Sequence, residues 1–369
     1  MVRTSINFAW RDSSSARQFS TGVCLHGHTM HSEECLNFLP RYLRAVPGIS
    51  LILDEYEREQ PVEFHRSWWT PPLSPASALR LEQNQIAGIG LRPLVSLTDH
   101  DTIEAGMSLQ VAADPRQVPV SVEWTVPYEK SILHISVHNL PPASARAWMP
   151  ALACHTAAPE DRALPAVLSE LARIPDVLLV LNHPFWLEEG VEEADHRRAL
   201  DRLLRECIGW LHAFELNGTR PWKENLAVIE LSRMHGLPLI SGGDRHACEP
   251  ATCLNFTNAA TFPEFVSEVR DGYSSLYFLP QYREPMALRV LEAARDILRR
   301  YPEYPGRERW IDRFFHRGQD GVVRSLATLW RDRAPWIVSA AAGILQLPAT
   351  TGLRPALRLL LAQRGEILP

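Results

Sequence analysis

Seven short apolar runs constrain the fold of this chain more than any other feature. They lie at 23–25, 94–97, 118–122, 132–137, 177–181, 212–216 and 237–240. Runs of this kind are typical of strands that are buried on both faces. Helical patterns at 78–87, 164–174, 194–208 and 223–235 lie between most of the runs. This alternation predicts an α/β fold in which βα units surround a parallel sheet, in one barrel-like domain.

Two regions depart from the alternation. An insertion at about 36–78 contains a predicted helix at 36–57, then a stretch rich in proline and tryptophan at 64–72. A loop this long is more often functional than idle, and it serves either as a hydrophobic plug or as a cap over a substrate. The later chain is rich in Leu, Ala and Arg and predicts amphipathic helices. We therefore divide the chain into a barrel domain at 1–285 and a helical C-terminal extension at 286–369.

Composition narrows the class of protein. The 369 residues carry a net charge of -5 and no basic block, which argues against a specific nucleic-acid partner. Residues 1–20 contain no apolar segment of a secretory signal, and the six cysteines form no CxxC pair. Scattered thiols in a chain without a signal fit a reducing compartment, so we expect a cytoplasmic protein.

The apolar segment 336–347 is shorter than the roughly 20 residues that cross a bilayer. We therefore expect no membrane span. A buried helix is one expectation for this segment, and a contact in a homo-oligomer built through the C-terminal helices is another. Attachment to a membrane surface is the remaining alternative.

Six polar clusters at the ends of the apolar runs, or within them, carry the side chains that bind divalent metals. They are Leu25-His26-Gly27-His28, Thr98-Asp99-His100-Asp101, Glu123, His134, Asn182-His183-Pro184 and Gly243-Asp244-Arg245-His246. Imidazole nitrogen and carboxylate oxygen are the ligands that transition metals select. In βα barrels the chemistry lies at the C-terminal ends of the strands, where most of these clusters fall. The pattern predicts a hydrolytic site with several metal ions.

Spacing and burial indicate how some of these side chains act. His26 and His28 are two residues apart on a strand, so both face the same side and can share one metal. Glu123 ends an otherwise apolar run, where a carboxylate is costly to bury unless it is paired or binds a metal. We expect it to bridge two cations. His134 and His138 share a strand face, and either one could be the ligand.

The aspartates beside the histidines have several possible roles. Asp99 and Asp101 flank His100 and could fix the orientation of its ring. Asp101 could also cap a helix that follows it. As candidate catalytic groups, Asp99, Asp101 or Asp244 could carry a proton.

A cation lies inside the last cluster. Arg245 separates Asp244 from His246 in a turn that begins with two glycines. Strand alternation would turn Arg245 away, into the wall or toward a carboxylate such as Glu249. Because the segment is a turn, the guanidinium could instead grip a substrate phosphate with two hydrogen bonds as a catalytic group.

In their order along the chain, these motifs resemble the PHP family, the polymerase-and-histidinol-phosphatase type of metal-dependent phosphoesterase. The resemblance covers about residues 20–280, from the HxH motif through TDHD and NHP to GDxH. It implies a distorted (β/α)7 barrel, similar to a TIM barrel, with two or three divalent ions such as zinc, manganese or iron. It also implies hydrolysis of a small phosphomonoester or nucleotide, in which a metal-bound hydroxide attacks phosphorus.

The resemblance implies a set of metal ligands. The first metal would be held by His26, His28, Glu123 and Asp244. The second would share Glu123 and add His134 and His183, and the third would be held by His100 and His246. The segment Phe214-Glu215-Leu216-Asn217-Gly218 is similar to a Glu-x-x-Asn strand that supports the family's site.

The chain departs from the family pattern at two places. Glu34 stands where members with three metals often carry histidine, so its carboxylate would have to substitute as a ligand. Arg245 stands in a motif that usually reads Ser-Asp-Ala-His, which makes it an unusual cation near the metals.

Two other functions stay open. One is an amidohydrolase-like metal-dependent deaminase or amidase, because such barrels also use HxH and a late aspartate. The chain offers no obvious lysine for the carboxylation that many of those enzymes need. The other is a non-enzymatic metal-binding module whose C-terminal tail mediates interactions.

Overall fold

The computed structural model describes residues 2–12, 15–37, 63–111, 114 and 116–346. Most of the helix expected at 36–57 lies outside these residues, as does the chain beyond 346. The strands are β1 (Arg3–Phe8), β2 (Thr21–Cys24), β3 (Glu34–Cys35), β4 (Ser67–Trp69), β5 (Arg92–Val95), β6 (Val120–Tyr128), β7 (Ser131–Leu140), β8 (Leu178–Asn182), β9 (Ala213–Asn217), β10 (Leu239–Gly242), β11 (Cys253–Thr257), β12 (Tyr273–Phe278), β13 (Phe314–Arg317) and β14 (Val323–Ser325). The α-helices are α1 (Pro75–Gly88), α2 (Glu104–Leu109), α3 (Pro142–Ala157), α4 (Leu164–Ala172), α5 (Glu193–Cys207), α6 (Trp222–His235), α7 (Phe262–Arg270), α8 (Met286–Leu298), α9 (Trp310–Arg313), α10 (Leu326–Leu329) and α11 (Trp336–Gln346).

The fold is mixed α/β, and all seven apolar runs contribute strands. Two five-stranded sheets have the orders β1-β12-β11-β2-β5 and β10-β9-β8-β7-β6. The four helical patterns are confirmed by α1, α4, α5 and α6. In α5 the apolar side chains, among them Leu200 and Leu204, are buried while the charged face is open, as its amphipathic sequence requires.

The expectation of an all-parallel sheet is wrong around β7. This strand pairs antiparallel with both β6 and β8. Only Glu129 and Lys130 separate β6 from β7, and Glu129 has the left-handed φ of 52° that a tight turn needs. A connection this short cannot make the crossover that parallel neighbours require. Glu123, expected at a strand end, therefore lies inside the long strand β6.

The strand ladders do not form the expected closed seven-stranded barrel within the described residues. Between β5 and β6 an isolated bridge joins His100 to Glu123, and beyond β2 and β10 another joins Gly27 to Arg245. Both bridges lie just past the ends of strands and involve the polar clusters themselves. Residues of the polar clusters thus link the two sheets.

The C-terminal extension is not wholly helical, contrary to expectation. It does form α8, α11 and two short helices, but β13 and β14 make a hairpin inside it. The turn between these strands contains Gly318 and Gly321, and Gly321 has a φ of 76° that other residues rarely adopt. This hairpin pairs with β4 of the insertion, and β4 pairs with β3 just before the insertion, in a third sheet of order β14-β13-β4-β3. Among the residues described, none of the helices has the length and apolar character to cross a membrane.

Candidate metal centre

All nine expected ligand side chains lie in one cluster, most of them just past strand ends and Glu123 and His134 within β6 and β7. Four groups of three have ligand atoms within 4.8 Å of one another: His26, His28 and Glu123; His28, Glu34 and His100; His28, Asp244 and His246; and His100, Glu123 and His134. The ninth side chain, His183, faces Glu123. Because the groups share members, they form a single continuous centre.

One oxygen of Glu123 faces a first set of histidines. Oε2 lies 2.9 Å from Nε2 of His26, 3.4 Å from Nε2 of His28 and 3.5 Å from Nε2 of His100. Only 1% of Glu123 is exposed, so this carboxylate has exchanged water for imidazole nitrogens. A buried charge in such surroundings is stable only when it is paired.

The other oxygen of Glu123 faces a second set. Oε1 lies 3.2 Å from Nε2 of His183 and 3.6 Å from Nδ1 of His134. Asn182 donates to the same oxygen through Nδ2 over 2.8 Å and fixes the carboxylate plane. The two oxygens therefore point toward different histidine sets, which is the geometry of a bridging carboxylate.

Two further carboxylates complete the cluster. Oδ1 of Asp244 lies 3.6 Å from Nε2 of His28 and 3.6 Å from Nδ1 of His246. Oε2 of Glu34 lies 3.2 Å from Nε2 of His246 and 3.6 Å from Nε2 of His100. The carboxylate of Glu34 thus lies among the candidate ligands, where the sequence suggested that it takes the place of a histidine.

Glu215 orients two of the histidines without facing the centre itself. Its Oε1 accepts from Nδ1 of His26 over 2.6 Å, which leaves Nε2 of that ring free to face the cluster. Its Oε2 accepts the backbone N–H of His183 over 3.0 Å. Histidines that bind metals usually have such a partner on the second nitrogen. These two hydrogen bonds are how Glu215 could provide the supporting role expected for residues 214–218.

The charges of the cluster depend on one another. Burial, reinforced by the charge of His246, lowers the pKa of His28 to about 4. Although burial favours the neutral ring, Glu34 raises the pKa of His246 to about 10. Against the effect of burial, His26 and His100 hold the pKa of Glu123 well below its usual value. The carboxylates are therefore ionised and ready to meet cations.

Three residues of the site have a backbone conformation that is unfavourable for side chains other than glycine. The φ angles are 25° at His183, 47° at Asp244 and 53° at Asp101. Such positions persist only where surrounding contacts enforce them, and they concentrate at functional sites. At Asp244 the left-handed turn sends its side chain and that of Arg245 to opposite sides.

Arg245 does not face the centre, so its proposed catalytic grip on phosphate is wrong. Its side chain is 4% exposed, and Nε lies 2.9 Å from Oε1 of Glu82 on α1. Nη2 donates to Gln85 on the same helix. The wall alternative holds, although the partner carboxylate is Glu82 rather than Glu249.

The two aspartates around His100 are occupied by backbone and hydroxyl groups. The oxygens of Asp99 accept from the N–H and the Oγ1 of Thr29, the latter over 2.7 Å, which fixes the loop after His28. Asp101 is exposed and accepts the N–H of Thr125 over 2.9 Å. Neither contact places a carboxylate oxygen among the ligand atoms.

The structure also separates His134 from His138. Whereas His134 lies beside Glu123, Nδ1 of His138 lies 2.8 Å from Oγ of Ser96. Burial lowers the pKa of His138 to about 3, so it is a neutral ring in the core.

Sequence reasoning missed the cation that does border the centre. Nη2 of Arg220 lies 3.5 Å from Oδ2 of Asp244, and the guanidinium carbon lies 3.7 Å from the centre of the Trp186 ring. Nε of Arg220 is buried and has no hydrogen-bond partner. The sequence signal for it was its position, because Arg220 follows Glu215 and Asn217 by only a few residues.

These donors fit divalent transition metals. They comprise imidazole nitrogens and carboxylate oxygens, most of them buried, with their ligand atoms close enough to share ions. Zinc, manganese and iron all accept such mixed ligand sets.

No family model matches the chain, and no curated protein matches its sequence. Several solved structures are similar to it. PsfC from Pseudomonas syringae is 14% identical, with 74% of this chain and 96% of that chain covered and a TM-score of 0.39. An amidohydrolase from Chromobacterium violaceum, solved with sulfate and no metal, is 16% identical, with coverage of 61% and 87% and a TM-score of 0.36.

A further structure, from Bifidobacterium adolescentis, is provisionally described as a metal-dependent phosphoesterase. It is 15% identical, with 49% of this chain and 85% of that chain covered and a TM-score of 0.31. Because all three TM-scores are below 0.5, none of these likenesses assigns a fold family or an activity to this chain.

Proposed function

We propose that this chain is a metal-dependent phosphoesterase of the PHP type that hydrolyses a small phosphomonoester or nucleotide. The observation that carries the proposal is the position of Glu123 between two histidine sets, one at each carboxylate oxygen. A carboxylate so placed can hold two cations at once. The bridges at His100 and Gly27, which link the two sheets, support a distorted ring of seven strands around the centre.

Each ion has a set of residues that would hold it. The first set is His26, His28, Glu123 and Asp244; the second is Glu123, His134 and His183; the third is Glu34, His100 and His246. When bound, divalent ions lower the pKa of a coordinated water and neutralise charge on a phosphoryl group.

Other residues of the chain orient the metal ligands and determine the side from which a substrate approaches. Glu215 holds the proton of His26 at Nδ1, so that Nε2 stays available as a ligand. His246 and His100 are the more open side chains, at 24% and 16% exposure, so substrate approaches from their side. The guanidinium of Arg220, stacked on Trp186 and 3.5 Å from Asp244 at the border of the centre, can pair with a phosphate oxygen.

The positions of the lysines argue against the amidohydrolase alternative, because many of those enzymes need a carboxylated lysine at the metal centre. The chain contains only Lys130 and Lys223, and both are exposed, one in the β6–β7 turn and one on α6. Neither can supply a carboxylated lysine at the centre, where Glu123 already occupies the bridging position. The cation at Arg220 also favours an anionic substrate.

A panel of phosphate esters tests the proposal. Purified chain supplemented with manganese or zinc should release phosphate from p-nitrophenyl phosphate or a nucleoside monophosphate, and a chelator should abolish the release. Glu123→Gln is the inactive control, because it removes the charge that offsets two cations. Hydrolysis of amides or deamination of amino-heterocycles, with no phosphate release across the panel, would contradict the proposal.

A further inference from the structure

Glu34 is held by a sheet that the insertion and the C-terminal extension build together. It lies on β3, a strand of two residues that cannot be stable alone. Glu34 pairs with Trp69 on β4, and Trp69 pairs with Phe314 on β13. Three segments distant in sequence therefore converge on this one carboxylate.

Trp69 connects this sheet to His246, one of the histidines of the candidate metal centre. Its side chain is buried, with the residue 6% exposed. The ring centre lies 6.1 Å from that of Phe314, in a stacked arrangement, and 5.8 Å from that of His246. A displacement of β13 would thus reach both Glu34, through strand pairing, and His246, through ring contact.

Arg307 attaches the C-terminal extension to the loop that leads to Glu34. Its Nη2 donates to the carbonyl of Met30 over 3.2 Å and also to Oγ1 of Thr70. The N–H of Thr70 in turn donates to the carbonyl of Arg313 over 3.0 Å. The loop ends at Ser32, whose hydroxyl donates to Oε1 of Glu34 over 2.6 Å.

Arg313 makes the extension itself rigid. It is completely buried, and its guanidinium donates to the carbonyls of Arg307 and Glu308 over 2.9 and 3.1 Å. Nη2 donates to Ile297 and Arg299, the latter over 2.9 Å. One side chain thereby ties the end of α8, the following turn and the start of β13 into one unit.

We propose that the C-terminal extension positions Glu34 through the sheet β14-β13-β4-β3, and thereby creates the third metal set with His100 and His246. Trp69 and Arg307 are positioning residues in this scheme, because they act through Glu34 and His246 and belong to none of the three proposed ligand sets. The first two sets contain no residue of this sheet. Glu34 also lies 3.7 Å from Nδ1 of His28 through Oε1, so the extension acts first on the third ion, and the pair bridged by Glu123 keeps all its own ligands.

This inference rests on the proposed metal centre, and metal binding by the full chain tests it. Ions bound per chain and their affinities are measured by chelator competition for wild type, Arg307→Gln, Trp69→Ala and Trp69→Phe. Arg300→Gln is the matched control, because Arg300 lies in the same extension and pairs with Glu308 on the surface, away from β3 and β4. The absorption spectrum of bound cobalt reports on the coordination of the third ion independently of activity.

We expect Arg307→Gln and Trp69→Ala to weaken the most weakly held ion by roughly 10- to 100-fold, as is usual when an outer partner of a ligand is lost. The two tighter ions should be retained, and Trp69→Phe should restore most of the affinity. A third ion held equally tightly in Arg307→Gln and in wild type would overturn the inference, as would a wild type that binds only the bridged pair. A wild type that binds no ion would instead refute the proposed function.

Discussion

Gly242→Ala tests whether the orientation of the histidines by Glu215 determines metal affinity. A Cβ atom at this position would lie 1.5 Å from Oε1 and 2.4 Å from Cδ of Glu215, far inside the roughly 3.5 Å of carbon contact. The glutamate must therefore move. It then loses the hydrogen bond from His26 at 2.6 Å and the backbone bond from His183 at 3.0 Å.

The size of the effect follows from these two bonds. A hydrogen bond to a charged group contributes about 1.5–3 kcal/mol, so the free energy of unfolding should fall by roughly 2–5 kcal/mol once partial relaxation is allowed. Loss of an outer partner of a ligand should reduce metal affinity by about 10- to 100-fold. No ligand is altered, so excess metal should restore much of the activity.

Chelator competition and urea unfolding measure the two effects. Gly88→Ala is the control, because its added Cβ meets nothing within 4 Å. It should leave metal affinity unchanged. If Gly242→Ala binds metal as tightly as Gly88→Ala does, Glu215 does not orient the ligands.

Three further predictions concern single side chains. Glu123→Gln should reduce phosphoesterase activity by orders of magnitude while circular dichroism shows a retained fold; near-normal turnover would make this residue structural. Arg220→Gln should raise KM for a phosphomonoester several-fold at constant metal content. Arg245→Gln should instead lower the free energy of unfolding by roughly 3–5 kcal/mol, because it leaves Glu82 buried without a cation. If Arg245→Gln raised KM and Arg220→Gln lowered stability, Arg245 would be the residue that binds phosphate. Folding lowers the pKa of His138 to about 3, so metal-free protein should lose stability as pH falls from about 6.5 toward 3. When urea unfolding is measured at several pH values, the free energy of unfolding should depend less steeply on pH in His138→Gln than in wild type. An unchanged pH dependence would contradict the buried neutral state of His138.

The ligand cluster could be predicted from sequence because its members are fixed by local patterns. His26 and His28 come directly after the apolar run that forms β2, and His183 directly follows another such run. Wherever such a run forms a buried strand, the side chain at its end must emerge at one edge of the sheet. The strands themselves are confirmed for the same reason.

The features that could not be predicted depend on contacts between residues that are far apart in the sequence, or on backbone conformation that a local pattern does not show. The direction of Arg245 follows from the left-handed conformation of Asp244 and from Glu82 on a distant helix. The pairing of Trp69 with Phe314 joins segments about 245 residues apart. Helix α3 was also missed, because Pro150 inside it hides the helical pattern.

The metal content of the purified chain is the most direct test of the central claim. The nine clustered side chains exceed what one tetrahedral or octahedral ion can use, so we predict two or three divalent transition-metal ions per chain by elemental analysis. One equivalent or less in a folded sample supplied with manganese and zinc would contradict the account.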